Sequence, residues 1–182
     1  ISRTGYTGED GFEIYFDKKY ADEVWEKVMD AGEEFEIAPI GLGARDSLRF
    51  EMKYMLYGNE LSKVINPLEA TIGWAVKFKK DDYIGKEALQ AKKKEGLKRK
   101  LVGLEIDSRL IARHGYKVFK SGEEVGEITS GIYSPSLEKS LALGLVPTEN
   151  SDIDETFEIQ IRNKFVPAKV VSTPFYTEGS RK

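Results

Sequence analysis

From Leu101 onward the sequence settles into short alternating runs, and no other feature constrains the fold as strongly. Val102, Leu104 and Ile106 recur at every second position, the period of a half-buried strand. Similar runs follow at 117–120, 124–129, 141–146, 157–161 and 166–171, with Ser121-Gly122 as a turn between the first two. Short strands separated by Gly, Pro and Asn predict an all-β barrel or sandwich here.

The first half of the chain has a different period. Ala21, Val24, Trp25, Val28 and Met29 recur at three- and four-residue spacing, which predicts an amphipathic helix over 20–31 with Trp25 in a core. Gly32 suits the position just past its end. A second helix is predicted over 42–52, with Ala44, Leu48 and Met52 on one face and Arg45 and Arg49 one turn apart on another. Asp46 is placed to pair with Arg49, which gives Arg49 a structural role. Asn66-Pro67-Leu68-Glu69 has the form of a capped helix start. Ile72, Trp74, Val76 and Phe78 alternate as a half-buried strand, and a charged helix is predicted over 85–95, closed by Gly96. The lysine-rich run over 92–100 fits a solvated helix end, or a dock for an acidic partner. The change of period sets a boundary near 96–99, and the chain as a whole reads as α+β.

The run Tyr6-Thr7-Gly8-Glu9-Asp10-Gly11-Phe12-Glu13-Ile14 is a tight acidic turn feeding a short strand. Phe12, Ile14 and Phe16 share one face of that strand, while Glu13 and Tyr15 share the other. A carboxylate fixed in this way can accept two parallel hydrogen bonds from a flat donor pair. A hairpin turn with solvated acids fits the same pattern.

Composition narrows the chemistry. The chain has 182 residues, no cysteine and a single histidine, His114. Disulfides, thiolate metal sites and a cysteine nucleophile are excluded, and there is no histidine cluster for a metal. A net charge of −3 argues against nucleic acid or an anionic membrane as partner. No stretch is long and apolar enough to span a bilayer and the start has no signal-peptide pattern, so a cytoplasmic location is expected. Carboxylates, arginine and a bound cofactor are left to carry any reaction.

Several of these segments, taken in order, point to one family. With the Tyr6 to Ile14 run stand Gly41-Leu42-Gly43-Ala44-Arg45-Asp46-Ser47-Leu48-Arg49-Phe50-Glu51 and Leu56-Tyr57-Gly58-Asn59-Glu60-Leu61. Pro67-Leu68-Glu69-Ala70, Gly73-Trp74-Ala75-Val76, Gly85-Lys86-Glu87-Ala88-Leu89, Arg113-His114-Gly115-Tyr116, Thr129-Ser130-Gly131 and Ser134-Pro135-Ser136-Leu137 follow. Together they resemble the T-protein of the glycine cleavage system, the aminomethyltransferase family, over nearly the whole chain. The resemblance begins near the middle of a typical member, so the chain is expected to be a C-terminal half, with the family's catalytic aspartate outside it. It implies that residues 1–97 are parts of two entwined folate-binding α+β domains and that 98–182 form the C-terminal barrel. Without the other half, the first portion is expected to expose apolar helix faces and unpaired strand edges.

The resemblance also implies an activity. Family members transfer the one-carbon unit of an aminomethyl group, carried on the dihydrolipoyl arm of the H-protein, to tetrahydrofolate and release ammonia. The implied partners are lipoylated H-protein and the missing N-terminal half. The implied folate-binding residues are Glu13 on the pterin, Arg45 and Tyr6 lining the same pocket, Arg113 extending from the barrel, and Tyr176 near the tail. The stretch Glu51-Met52-Lys53-Tyr54-Met55 departs from the family's smaller turn and is expected to reshape a pocket wall. Two other readings share these features: a non-catalytic module that binds folate or docks the H-protein, and the folate domain of a sarcosine or dimethylglycine oxidase.

Overall fold

A computed structural model describes residues 1–180; residues 181 and 182, the last of the expected barrel domain, lie outside the described residues. Three helices come first: α1 (Ala21–Gly32), α2 (Leu42–Glu51) and α3 (Lys86–Glu95). Six strands follow: β1 (Arg99–Ile106), β2 (Lys117–Lys120), β3 (Glu123–Ser134), β4 (Lys139–Pro147), β5 (Thr156–Ile161) and β6 (Lys164–Val171). The strands form a closed antiparallel barrel in the order β1-β4-β3-β2-β5-β6, with β6 returning to β1. Closure removes every free sheet edge.

The alternation seen in sequence sorts residues to the two sides of the barrel wall. Val102, Leu104, Ile128, Ile159 and Val170 fill the interior. Leu101, Leu141, Leu143 and Leu145 face outward and pack with Phe50 of α2. Part of the outer wall therefore seats the helix. The β2–β3 hairpin turns through Ser121 (φ 54°) and Gly122 (φ 83°), the two positive-φ residues of a tight hairpin matched to strand twist. β3 continues past Thr129 to Ser134, because the register shift between Ile128 and Ser130 is a bulge at Thr129 and pairing with β4 resumes at Ser130 and Gly131. At Gly131 a Cβ would collide with the carbonyl of Ala112, so the loop before β2 lies directly on this strand.

Four expectations for the first half are corrected. The strand expected after Gly11 is reduced to an isolated Ser2–Glu13 bridge, closed by two main-chain bonds of 2.9 Å. Ile14 and Phe16 instead line an open groove with Val24, Trp25 and Val28 of α1. Trp25 is 58% exposed rather than in a core, because α1 packs mainly on the short turns that flank it. The run 72–78 is not a strand; its centre is a 3-10 turn, Gly73–Ala75, with Trp74 77% exposed. Asn66 does cap, its Oδ1 accepting from the N–H of Leu68 and Glu69 while Glu69 bonds back to its N–H, but the capped segment is one turn and not a helix.

Candidate functional site

The site is built on α2. Phe50, on the helix's buried face, is anchored in the outer barrel cluster and stacks on Phe175 at 5.2 Å. One residue earlier, Arg49 turns into the interface between helix and barrel. Its guanidinium donates to Asp46 (2.8 Å), Glu60 (2.9 Å), the Tyr54 carbonyl (3.2 Å) and Ser130 of β3 (3.1 Å). Arg49 is thus a buried structural arginine, as its spacing from Asp46 indicates.

Arg45, one helical turn before Arg49, is on the exposed stretch of α2. Its guanidinium sits 4.5 Å from the centre of the Tyr6 ring, a cation–π contact. Tyr6 also stacks on Tyr54, ring centres 5.7 Å apart, and its hydroxyl donates to the carbonyl of Met55. Burial pushes the Tyr6 phenol above its ordinary range; Glu60 and Asp46 push the same way, while Arg49 and Arg45 oppose them. A cleft of about 550 Å³ opens beside the pair, lined by Tyr6, Met52, Lys53, Tyr54, Trp74 and Pro174 among others. Of the stretch over 51–55, read as a pocket wall, Met52, Lys53, Tyr54 and Met55 line it, while Glu51 is buried against Ser134 and Ser136. Lys53 is half-buried there, and burial together with the charge of Lys100 depresses its ammonium.

Of the expected residues only Tyr6 is among those lining this cleft; Arg45, Glu13, Tyr176 and Arg113 are not. Glu13 is half-buried, and its carboxylate accepts from the Thr4 hydroxyl while its main chain bridges Ser2. Thr4 and Gly5 lead directly into Tyr6, so the acid and the aromatic belong to one short segment. Tyr176 is tied to α2, its N–H donating to the Glu51 carbonyl at 3.0 Å. Arg113 is exposed on the loop between β1 and β2, and no hydrogen bond, ion pair or ring contact among the described residues joins it to Tyr6, Arg45 or Glu13. Its neighbour His114 bonds the Thr129 carbonyl and lines a different cleft with Arg99 and Glu127. Trp74 was not expected at the site, and Tyr54 was expected only as part of the 51–55 wall, not as the stacking partner of Tyr6. Both lie beyond the end of α2, where helical spacing from Arg45 gives no signal. Among the described residues, no cluster of His, Cys, Asp or Glu can hold a metal, and no helix is long and apolar enough to cross a membrane.

Fold and site define a class: an α+β chain built on a closed antiparallel barrel, with an arginine-covered tyrosine and an aromatic cleft on its helical flank. Two family models match it, the GCVT N-terminal domain over residues 1–80 and the glycine cleavage T-protein C-terminal barrel domain over 99–177. The aminomethyltransferases of Geobacillus sp. (strain WCH70) and Bacillus subtilis (strain 168) are each 54% identical to it over 177 residues, 97% of this chain and 49% of theirs. That of Thermoanaerobacter pseudethanolicus is 50% identical over all 182 residues, 50% of its own length. The crystal structure of the glycine cleavage system aminomethyltransferase T from Bartonella henselae superposes with a TM-score of 0.91 at 33% identity, over 100% of this chain and 50% of that one. The chain belongs to the glycine cleavage T-protein family, and it spans about half the length of these relatives.

Proposed function

We propose that this chain forms one side of a tetrahydrofolate-dependent aminomethyltransferase, with residues 1–97 belonging to the folate-binding portion and 98–182 to the barrel. The observation that carries the reading is the Arg45–Tyr6–Tyr54 cluster beside an aromatic cleft whose volume suits a small flat ligand. The residues present fit a pterin. Aromatic walls accept a flat ring, and the Glu13 carboxylate has capacity beyond its bond to Thr4 for a pair of N–H donors. Tetrahydrofolate, when bound, accepts the one-carbon unit.

In this reading Glu13 fixes the orientation of the heterocycle, and Arg45 holds a cation over the pocket, where it opposes the build-up of positive charge on the bound ring and favours carboxylates. Tyr6, locked by Met55 and Arg45, excludes water from one wall. Arg113 and Tyr176 extend the site only through movement or through a covering segment. Such a segment is supported by the open groove of about 460 Å³ lined by Ile14, Phe16, Trp25 and Val28, an apolar surface suited to burial by the portion of the relatives that this chain does not span. That portion supplies the family's catalytic aspartate, lipoylated H-protein supplies the aminomethyl group, and the reaction takes place in the cytoplasm.

The test is complementation. The chain is mixed with the N-terminal portion of the Bacillus subtilis relative, and ammonia release from aminomethyl-loaded H-protein is followed with tetrahydrofolate present. Activity that depends on both portions and is lost in Arg45→Ala supports the proposal. Full activity in Arg45→Ala and Glu13→Ala removes these residues from it.

A further inference from the structure

The acidic turn at the start of the chain is held by residues from its very end. The N–H of Asp10 donates to the Ser180 hydroxyl at 2.8 Å, and the N–H of Ser180 donates to Glu9 Oε2 at 3.0 Å. Each segment thus satisfies a main-chain donor of the other, the reciprocity of a capping box carried across 170 residues of sequence. Gly179 lies against the turn, and a Cβ there would stand 2.8 Å from the Gly8 carbonyl oxygen. Gly8 itself has φ +80° and is covered on its other side by Met52, where a Cβ would collide with the Met52 side chain. The far end of the tail is pinned separately. Phe175 and Tyr176 both donate to the Glu51 carbonyl (2.9 and 3.0 Å), and the Phe175 ring stacks on Phe50. Hydrogen bonds from Ser180 hold the Glu9 carboxyl below its ordinary range.

From these contacts we infer that the tail from Phe175 to Ser180 is a strap that sets the conformation of the Tyr6 to Asp10 turn, with Ser180 as its positioning residue. The turn carries Tyr6 and leads into Glu13, so the strap also sets the geometry of the candidate pocket. That second consequence rests on the folate reading above. The contacts at Ser180 are exposed and local, so their loss frees the turn without unfolding the barrel.

The test is amide hydrogen exchange by NMR on the full chain, comparing the parent with Ser180→Ala, Ser180→Thr and Gly179→Ala. Exchange at Asp10 is expected to accelerate about tenfold in Ser180→Ala and in Gly179→Ala, with β1 and β4 amides unchanged. Ser180→Thr keeps the hydroxyl and restores parental exchange. Unchanged Asp10 exchange in both Ser180→Ala and Gly179→Ala overturns the strap. A parallel titration with tetrahydrofolate separates the two claims. Weaker binding by Ser180→Ala, recovered in Ser180→Thr, supports the consequence for the pocket, whereas parental affinity in a variant with a loosened turn overturns it. The titration is run with the complementing N-terminal portion present, and a parent that binds no tetrahydrofolate there counts against the folate reading alone, since the exchange result still decides the strap.

Discussion

Arg49 donates from Nη1 to Glu60 Oε2 at 2.9 Å, and the two side chains are 2% and 0% exposed. The same guanidinium reaches Ser130, so one buried cation joins α2, the loop before residue 60 and the barrel wall. Removing Arg49 alone strands Glu60 as an uncompensated buried charge. Arg49→Met is predicted to cost about 3–5 kcal/mol in urea unfolding, while the Arg49→Met, Glu60→Met pair costs clearly less than the single change. Equal losses in the two variants would contradict the pairing.

This network also marks how far the sequence could be read. Asp46 and Arg49 are three residues apart, and their pairing follows from helix geometry. Glu60 and Ser130, 11 and 81 residues from Arg49, are brought to it only by folding. The barrel strands were legible because alternation is a local property of buried sheet. The strand expected at 72–78 was not, because alternating apolar residues there are spread over a turn that lacks a neighbouring strand. The family resemblance put Arg45 and Tyr6 at one expected pocket, but their cation–π contact and the Tyr54 stacking depend on how the chain folds onto and leaves α2.

Tyr6 provides a pH test. Its phenol is raised above the unfolded value of about 10, so the folded state favours the neutral form. Its contribution to stability is complete below that value and is lost as pH rises through the folded pKa. Denaturant unfolding across pH 9 to about 11 is predicted to show a smaller alkaline loss in Tyr6→Phe than in the parent. At neutral pH Tyr6→Phe costs about 1 kcal/mol, because the Met55 carbonyl loses its donor.

Glu51 joins the helix end to a barrel loop. Its carboxylate accepts from the hydroxyls of Ser134 and Ser136 and from the Ser136 N–H, while its carbonyl takes the tail. Glu51→Ala is predicted to lose about 2–3 kcal/mol, since hydrogen bonds to a charged acceptor carry more than neutral ones. Thermal unfolding measures the loss, and Ser136→Ala is expected to lose less.

Gly131 tests the close approach of the β1–β2 loop to β3. A Cβ there would meet the backbone of Ala112 and Leu141, neither of which can turn aside as a flexible side chain can. Gly131→Ala is predicted to cost at least about 1–3 kcal/mol, with the effect read by urea unfolding. Gly11→Ala, which meets no atom, is the control and leaves stability nearly unchanged.

The most direct measurement is a calorimetric titration with tetrahydrofolate of the chain joined by its complementing N-terminal portion, parent against Glu13→Ala. Saturable binding by the parent, weakened about tenfold or more in the variant, is the predicted result for a charge-assisted pair of hydrogen bonds to the pterin. Equal affinity in parent and variant would contradict it.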